Sequence, residues 1–524
     1  GVGRLAGRRV RGGIVALVVG ALLASAPVFA DPSASRPNIL LIKIEDTNDW
    51  VEGFGGHPDT RTPNLAALAA RGVRFDNAHT PSPLCNPAKT AILSGLAPAR
   101  TGVLANQQTP FRAWLPEFSR TVFEFFLERG YYVAAKGLIF HQDVDTEAEP
   151  WSELPPYAWY RGAPPVQPLN GLPELLAISP GFDWGPTNGA VSQWGDYQIA
   201  SYGIQFLNRS HESPFVLALG FTMPHVQWWV PRAYWDAFPA EPALPPWLPD
   251  DRDDMPPYPR LRIDTEQHRV ITEAGKWPEA VRAYLASINF VDAQIGRVLE
   301  ALDASDHAAN TIVVFYSDHG FHVGEKGAWG KATLWEASTR VPFIVVAAAV
   351  APAGGVVTRA VSTLDIYPTL VELAGFQPAQ QLDGLSLAGL LRDPVAGTRA
   401  SDYAVTSYYF GNSIRDSRWR YTRYTPANPA DGGEELYDHA SDPDEHVNLA
   451  AAPAPAAPKA TLAAALTPAL SFGPSLRPHV AILAPADGAQ LAGHDVALEA
   501  TALDPEDGDL SGAVQWSSDR DGPL

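Results

Sequence analysis

The segment Asn38-Ile39-Leu40-Leu41-Ile42-Lys43-Ile44-Glu45-Asp46 joins a run rich in Ile and Leu to a pair of carboxylates. Such a run is typical of a buried strand in a parallel sheet. A second run, Thr311 to Tyr316, is followed in the same way by Asp318-His319. Ligands of open α/β sheets bind at the carboxyl ends of the strands. We therefore expect the two acidic pairs to converge on one hard cation, with the imidazole beside it.

Further apolar runs alternate with helical patterns along the chain. The runs are Tyr132 to Ala135, Phe215 to Phe221 and Val341 to Val346. One helical face is predicted to carry Ile288, Val291, Ile295, Val298, Leu299 and Leu302. Another helix is expected from a Thr62 cap and Pro63 start to an end before Gly72. This alternation predicts an α/β fold with a mostly parallel central sheet flanked by helices.

Residues 1–30 have the pattern of a secretory signal peptide. A basic start is followed by the apolar run Ile14 to Ala24 and by the small-residue site Val28-Phe29-Ala30. We therefore expect a periplasmic or secreted protein. The alternative is an uncleaved anchor, although the run is short for a bilayer span. No later stretch is apolar enough to cross a membrane, so we expect no stable span, and the Gly start indicates an N-terminal fragment.

The C-terminal part changes composition twice. Arg418 to Tyr421 and Glu435 to Asp438 predict short strands of a small antiparallel sheet within residues 396–450. Residues 451–477 are dominated by Ala and Pro and are predicted to be a linker. Residues 478–524 alternate like half-buried strands and predict a partial all-β, Ig-like module, truncated after about three strands. Two segments rich in Pro and Trp, 147–190 and 226–262, are predicted to be surface insertions.

The net charge of −20, from 38 basic and 58 acidic side chains, argues against a nucleic-acid partner. Local positive charge must then capture any anionic substrate. The single cysteine, Cys85, excludes a disulfide framework. Pro87 is predicted to begin a helix, which would place the Cys85 sulfur at a helix N-terminus that favours an anion. A nucleophile there could meet a sulfate or phosphate ester; the alternative is a small buried hydrophobic residue.

An ordered set of motifs across residues 36–450 resembles the type I sulfatases of the alkaline-phosphatase superfamily, and most of all the iduronate-2-sulfatase-like enzymes. The matching stretches are Arg36 to Leu40, Thr62 to Leu65, Cys85-Asn86-Pro87, Gly137 to His141, Met223-Pro224-His225, Val291-Asp292 to Leu302, Asp318 to His322, Gly324-Glu325-Lys326, Lys331, Leu334-Trp335-Glu336, Arg340-Val341-Pro342, Asp365 to Leu370, Arg418 to Tyr421, Leu436-Tyr437-Asp438 and Asp442-Pro443. The resemblance implies an alkaline-phosphatase-like catalytic domain over 36–395 and a C-terminal subdomain over 396–450.

The resemblance also implies a chemistry, that of a sulfuric ester hydrolase acting on a sulfated carbohydrate. In such enzymes a maturation enzyme, the formylglycine-generating enzyme or an equivalent, oxidises the cysteine to formylglycine, whose hydrate attacks sulfur beside Ca²⁺. The implied metal ligands are Glu45, Asp46, Cys85, Asp318 and His319. The implied catalytic residues are Cys85 as the nucleophile, Lys89 and Lys331 toward the sulfate, and His141 and His225 near the scissile oxygen.

Several positions depart from the family pattern, and they cluster on the anion pocket. Glu45 replaces the usual Asp, and the family's Cys-x-Pro-Ser-Arg ends in Ala88-Lys89. Lys lacks the forked guanidinium of Arg. Two lysine positions of the family are occupied by Leu138 and Met223.

Two further hypotheses therefore stand beside the sulfatase. One is a phosphodiesterase or phosphonate monoester hydrolase on the same scaffold. The other is a degenerate, non-catalytic, glycan-binding protein. If the protein is catalytic, Asp318→Ala is expected to abolish turnover, and Lys326→Ala, predicted to lie outside the pocket, to matter far less.

Overall fold

The computed structural model describes residues 36–116, 119–141, 146, 149–156, 167–263, 265–409, 411–426 and 428–470, and five short strands between residues 479 and 523. The predicted signal peptide lies outside the described residues. The strands are β1 Asn38–Ile44, β2 Val73–Phe75, β3 Ala78–His79, β4 Tyr132–Gly137, β5 Trp184–Thr187, β6 Phe215–Gly220, β7 Trp228–Pro231, β8 Thr311–Ser317, β9 His322–Val323, β10 Trp329–Gly330, β11 Phe343–Val346, β12 Gly355–Val357, β13 Val361–Ser362, β14 Ala404–Tyr408, β15 Gly411–Arg415, β16 Trp419–Tyr424, β17 Gly433–Asp438, β18 His479–Ala484, β19 Glu499–Asp504, β20 Gly508–Asp509, β21 Ser517–Ser518 and β22 Gly522–Pro523.

The α-helices of the described residues follow the apolar patterns between these strands. They are α1 Pro63–Arg71, α2 Cys85–Ser94, α3 Pro98–Thr101, α4 Val122–Leu127, α5 Pro173–Ile178, α6 Gly195–Leu207, α7 Arg232–Trp235, α8 Pro257–Arg262, α9 Thr265–Glu273, α10 Trp277–Asp303, α11 Glu336–Thr339, α12 Ile366–Leu373, α13 Ala388–Arg392 and α14 Ala456–Leu470. Within the described part of the chain, no helix is both long enough and apolar enough to span a bilayer.

A seven-stranded sheet in the order β12-β2-β11-β8-β1-β6-β4 forms the centre of the fold. Four of its six strand pairings are parallel, and β11 runs antiparallel to both of its neighbours. The predicted α/β fold with a mostly parallel sheet is therefore confirmed. Strand β1 lies between β6 and β8, which buries all seven of its residues.

Helices cover both faces of this sheet, and alternate residues of β1 point to opposite sides. Leu40, Ile42 and Ile44 pack into one apolar cluster with α1, α6 and α10. Ile39 and Leu41 pack into a second cluster with α2, α4 and α12. The predicted face of α10 is buried throughout, as its periodicity indicated.

The start of α1 differs from the expectation. The helix begins at Pro63, but the Thr62 side chain makes no capping hydrogen bond to it. Its Oγ1 instead accepts a hydrogen bond from the Glu52 backbone N–H at 2.8 Å. The Asp292 carboxylate on α10 accepts from the backbone N–H groups of Asn64 and Leu65, at 3.2 and 2.8 Å. A residue distant in sequence therefore satisfies the helix N-terminus that Thr62 was predicted to cap.

Each of the two segments predicted as surface insertions sends one strand into the core, so that prediction is wrong for β5 and β7, whereas Leu244, Trp247 and Leu248 are exposed. Strands β5 and β7 pair in parallel, and Trp184 and Trp228 are fully buried. The ring of Trp228 lies 5.2 Å from Tyr284 and 5.5 Å from Phe321, measured between ring centroids. Although tryptophan and proline together are typical of surface loops, the large apolar area of tryptophan favours burial once a partner surface exists.

The C-terminal strands β14 to β17 form the antiparallel sheet that the sequence predicted. The predicted linker is wrong over α14, because Leu462 and Leu466 of that helix pack against Ile414, Tyr421 and Leu436 of the sheet. Beyond it, β18 pairs with β19 and β19 with β20, both antiparallel. Val496 and Leu498, part of the predicted alternation, lie outside the described residues, and the Ig-like module stays a prediction.

Candidate functional site

The carboxyl ends of β1 and β8 bring the two acidic pairs together. The strands are parallel neighbours with Ile44 opposite Ser317, so the chain leaves both strands at the same edge. Glu45, Asp46, Asp318 and His319 follow directly and are fully buried. Ligand oxygens of the three carboxylates lie within 4.8 Å of one another. The Asp46 backbone N–H also donates to Asp318 Oδ1 at 3.1 Å, which links the two strand ends.

Cys85 lies at the N-terminus of α2 and faces this cluster. The helix begins at Cys85, two residues before the predicted start at Pro87, which occupies the third helical position. The helix can begin two residues earlier because backbone N–H groups in its first turn have no partner within the helix, so the N–H that proline lacks is not missed there. The Cys85 Sγ atom lies 3.3 Å from His319 Nε2 and 2.9 Å from Lys331 Nζ. The sulfur predicted at a helix N-terminus is therefore surrounded by donors.

These neighbours change the acidity of the thiol. Burial by itself raises the pKa of Cys85, but the charges of Lys331, His319 and Lys89 outweigh it and hold the pKa well below the ordinary cysteine value. Conversely, burial lowers the pKa of Lys331, while Asp46 and Cys85 raise it by more. An anion at position 85 is thus stabilised by fixed positive charge, as a site for a sulfate ester requires.

Two lysines contact Glu45, and only Lys89 belongs to the predicted site. Lys89 Nζ lies 2.8 Å from Glu45 Oε2 and 3.4 Å from Asp318 Oδ2. Lys43 Nζ contacts Glu45 Oε1 in a fully buried ion pair. Burial, and then the charge of Lys89, lower the pKa of Lys43 well below its ordinary value. The signal was a lysine inside a buried strand, two residues before a carboxylate and hence on the same face.

The cluster fits a hard divalent cation. Asp46 Oδ2 and Asp318 Oδ2 are buried carboxylate oxygens that accept no hydrogen bond, although the Lys89 ammonium lies 3.4 Å from Asp318 Oδ2. A bound cation would remove the remaining cost of burying these oxygens. Burial raises the pKa of Asp318, but His319 and Lys89 lower it to about 2, so the group is ionised at neutral pH. Oxygen donors of this type suit Ca²⁺. Glu45 could bind the same cation, but its carboxylate oxygens also contact Lys43 and Lys89.

Two histidines complete the surroundings of Cys85. A ring nitrogen of His225 lies within 4.8 Å of ligand atoms of both Asp46 and Cys85. His225 Nδ1 donates to the Val226 carbonyl oxygen at 2.7 Å, which leaves Nε2 as the basic nitrogen of the neutral ring. His141 lies close enough to the thiol to help lower the pKa of Cys85. Both histidines chosen from the sequence therefore lie beside the sulfur.

The positions that depart from the family pattern are apolar in the structure as well. Leu138 and Met223, at the two positions where the family has lysine, are both buried, and Met223 packs in the apolar cluster that contains α6 and α10. Lys136, the nearest lysine to the first of them, donates from Nζ to the Pro156 carbonyl oxygen and so is committed elsewhere. Positive charge around Cys85 therefore comes from Lys331, His319 and Lys89.

Lys326, predicted to lie outside the pocket, has a structural position of its own. It is buried, and its Nζ lies 3.3 Å from Asp251 Oδ1 and contacts the Glu445 carbonyl oxygen. It also lines a cavity of about 430 Å³ that the residues of the Cys85 cluster do not line. There Arg420 pairs with both Glu336 and Glu445, which ties the C-terminal sheet to α11. Lys326 joins three distant segments, so it is not a neutral surface residue.

Comparisons with known proteins agree with this geometry. The family model described as "Sulfatase" matches residues 37–376, and that described as "N-sulphoglucosamine sulphohydrolase, C-terminal" matches residues 324–470. A protein named sulfatase from Formosa agariphila is 34% identical over 79% of this chain and 83% of its own length. Iduronate 2-sulfatase from Mus musculus is 31% identical over 59% of each chain.

Solved structures give the same picture of the fold. One described as a 2-O GAG sulfatase superposes with a TM-score of 0.64 at 24% identity, covering 83% of this chain and 93% of the other. The phosphonate monoester hydrolase of Agrobacterium radiobacter superposes with a TM-score of 0.64 at 22% identity, covering 93% and 99%. At these identities the two structures show the fold alone.

Proposed function

Because this chain belongs to the sulfatase family of sulfuric ester hydrolases, we propose that it removes sulfate from a sulfated carbohydrate, using Ca²⁺ and a formylglycine derived from Cys85. One observation carries the proposal: Lys331 Nζ lies 2.7 Å from Asp46 Oδ1 and 2.9 Å from Cys85 Sγ, beside carboxylate oxygens without donors. A cation site, a nucleophile position and a fixed ammonium thus share one small volume.

The chain's own residues supply the remaining functions. When present, formylglycine provides the nucleophilic oxygen and Ca²⁺ neutralises charge on the sulfate. Glu45, Asp46, Asp318 and His319, together with position 85, would hold the ion. Lys331 and Lys89 stabilise the negative charge that grows on the sulfate oxygens as the ester bond breaks. His141, or His225 once its Nε2 has taken up a proton, donates a proton to the leaving alkoxide, which is too basic to depart unprotonated.

The substrate class rests on relatives and on chemistry. One relative is named Delta 4,5-hexuronate-2-O-sulfatase, from Bacteroides thetaiotaomicron, and is 29% identical over 81% of this chain. We propose a sulfated sugar or polysaccharide as the substrate and, from the pattern of residues 1–30, a periplasmic or secreted location. The proposed organisation is a catalytic domain over 36–395, a subdomain over 396–450 and an Ig-like module over 478–524.

Maturation of Cys85 requires a partner enzyme, and Ala88 and Lys89 stand where the family has Ser and Arg. Mass analysis of the peptide that contains residue 85, from protein made in a host with the maturation enzyme, tests the proposal directly. The expected mass is that of the aldehyde, with turnover of an aryl sulfate that Cys85→Ala abolishes. Unmodified cysteine in protein that hydrolyses sulfate esters would contradict the mechanism.

A double variant separates weak maturation from loss of function. Lys89→Arg with Ala88→Ser restores the family motif, and we expect it to increase the fraction of formylglycine. If the aldehyde forms in that variant and no ester is hydrolysed, the protein is a degenerate binding protein and the proposed activity is wrong.

A phosphodiesterase or phosphonate monoester hydrolase activity stays the alternative, because a phosphonate monoester hydrolase shares this fold over 93% of this chain. Turnover of an aryl sulfate, an aryl phosphodiester and an aryl phosphonate monoester by one preparation distinguishes them. We expect the sulfate to give the highest kcat/KM. A preference for either phosphorus ester would assign the alternative.

A further inference from the structure

We propose that the cavity of about 430 Å³ beside Lys326 binds an uncharged sugar ring of a polysaccharide substrate, at a place separate from the Cys85 site. This inference rests on the proposed sulfatase function and specifies its substrate as a polymer with unsulfated units. The cavity, here called the Trp335 cavity, is lined by the buried Trp335 and, at its rim, by the exposed residues Ser417 and Asp444. Its volume falls within the range of roughly 300–1,000 Å³ that is typical of small-molecule sites.

The Trp335 cavity lies at the same edge of the central sheet as the Cys85 cluster. Strand β2 is antiparallel to β11, which is antiparallel to β8, so β2 and β8 run in the same direction. Asp76 directly follows β2, and Asn48 follows β1 by four residues; both line the cavity. Arg415, at the end of β15, adds a wall from the C-terminal sheet. Ligands of α/β sheets bind at this edge, and here two sheets supply the walls.

Three buried side chains of the cavity wall have a polar atom that finds no hydrogen-bond partner among the described residues. The atoms are Trp335 Nε1, His322 Nδ1 and Arg415 Nε, and the three residues are at most 5% exposed. Arg415 Nε lies 3.6 Å from Glu336 Oε2, which is longer than a hydrogen bond. Buried polar atoms are normally paired, so unpaired ones beside a cavity indicate a polar ligand or water. A ligand rich in hydroxyl groups would pair with them.

The charges of the wall favour a neutral ligand. Burial, and then the nearby Asp49 and Asp444, raise the pKa of Glu325 to about 7. Arg340 is already paired, because its Nη1 lies 2.9 Å from Asp49 Oδ2. A sulfate or carboxylate group in the cavity would be repelled by these carboxylates. Sugar hydroxyls both donate and accept hydrogen bonds, so they match the carboxylates and the N–H groups alike.

An apolar lip extends the cavity toward solvent. Pro246 lines the cavity and is exposed, and the next two residues, Trp247 and Leu248, are 36% and 45% exposed. The centroid of the Trp247 ring lies 4.8 Å from that of His268, so the ring is held against the protein. An aromatic face packs well against the C–H groups of a sugar. The lip therefore suits a second ring of the same polymer.

The test measures binding of neutral oligosaccharides to Cys85→Ala protein, in which no ester is turned over. The probes are cellotetraose, xylotetraose, agarotetraose and mannotetraose, each titrated by calorimetry. Ser417→Trp places a large ring at the rim of the cavity, and Trp247→Ala removes the aromatic part of the lip. Ser210→Trp is the matched control, because Ser210 is exposed and precedes β6, at the opposite edge of the central sheet.

We expect at least one probe to bind, and Ser417→Trp and Trp247→Ala each to weaken that binding about tenfold or more. Ser210→Trp should leave the Kd unchanged. In matured protein that keeps Cys85, Ser417→Trp should hydrolyse 4-nitrophenyl sulfate as well as wild type does, because this small ester occupies only the Cys85 site. Absence of binding by every probe, or equal binding by Ser417→Trp and Ser210→Trp, would overturn the inference. Loss of aryl sulfate turnover in folded Ser417→Trp would overturn the separation of the two sites.

A charge arm tests the selection against anions and guards against simple misfolding. The Cys85→Ala protein should bind its best neutral probe more tightly than tetragalacturonate, whose rings carry carboxylates. Glu325→Gln combined with Asp444→Asn should narrow that difference by improving the binding of tetragalacturonate. Glutamine still offers an oxygen to the Val323 backbone N–H, which Glu325 Oε2 accepts at 2.5 Å. Tighter binding of tetragalacturonate than of every neutral probe would show that the cavity does not select a neutral ring.

Failure of the proposed function gives a different result. If matured wild type hydrolyses no sulfate ester, the sulfatase function fails, whatever the calorimetry shows. If matured wild type is active and no neutral probe binds to the Cys85→Ala protein, the function stands and the inference about the cavity is wrong.

Discussion

Lys331 Nζ lies 2.9 Å from Cys85 Sγ, although the two residues are 246 positions apart in the chain. This ammonium is the nearest fixed positive charge to the sulfur, and it outranks His319 and Lys89 in lowering the thiol pKa. The contact connects the loop after β10 with the first turn of α2.

Lys331→Met should raise the pKa of Cys85, because burial then acts with less positive charge to oppose it. We expect the thiol pKa to move toward or above about 8.5, the ordinary cysteine value. Titration of thiolate absorbance in unmatured protein measures it. Lys276→Met, on a lysine paired with Glu279 away from the site, is the control, and an unchanged thiol pKa in Lys331→Met would contradict the assignment.

Asp318→Ala and Lys326→Ala should fail in different ways. The first removes a carboxylate of the proposed ion site and should abolish Ca²⁺ binding and turnover, with a loss of Tm as well because Asp318 accepts the backbone N–H groups of Asp46 and His319. The second breaks the buried contacts of Lys326 with Asp251 and Glu445 and should lower Tm by several degrees. Calorimetric Ca²⁺ titration and thermal unfolding, run on both, separate the two effects. Activity of folded Lys326→Ala below its Tm should persist, and its loss would place Lys326 in the catalytic site.

Lys43→Met should strengthen Ca²⁺ binding. Lys43 Nζ occupies Glu45 Oε1, and an unbranched apolar side chain of similar length would leave that oxygen to the ion. Ligand charge and availability set Ca²⁺ affinity, so we expect a gain of about tenfold or more. The measurement is Ca²⁺ titration of the Cys85→Ala protein with and without the substitution. Weaker binding in the double variant would show that Lys43 supports the ion site instead.

Glu435 should make the C-terminal sheet less stable as the pH rises. Burial, only partly offset by Lys326, raises the pKa of Glu435 from 4.5 to about 7. Between those values the folded state keeps a proton that the unfolded chain releases, so stability falls as pH rises through this window. The difference of about 2.5 pH units corresponds to at most about 3 kcal/mol.

Glu435→Gln should therefore raise Tm at pH 8 and change it little at pH 5. Glu434→Gln is the matched control, because the Lys459 and Tyr421 contacts of Glu434 outweigh burial and lower its pKa. That neighbour should not gain stability at pH 8. Equal effects of the two substitutions would show that the burial of Glu435 is not the cause.

Much of the fold and of the candidate site was predictable from local patterns. The runs of β1 and β8, and the acidic pairs after them, needed only the preference of apolar residues for a buried strand and of ligand sites for strand ends. The ordered motifs around Cys85, Lys331 and His225 were enough to identify the family. The patterns failed where a residue's role depended on a partner far away in the sequence. Asp292, and not Thr62, accepts the hydrogen bonds at the start of α1. Trp184 and Trp228 are buried in the core and do not lie on a surface loop.

The sequence by itself determined which residue types stand at the strand ends and helix start, because periodicity and turn chemistry are local properties of the chain. Only the tertiary structure decided that Lys43 and Lys89 both contact Glu45 and that Lys326 is buried in an ion pair with Asp251. It also decided that Trp335, Arg415 and Asp444 line one cavity. Electrostatic and packing energies depend on distances of a few ångströms. Such distances between remote segments exist only once the sheet has brought them together.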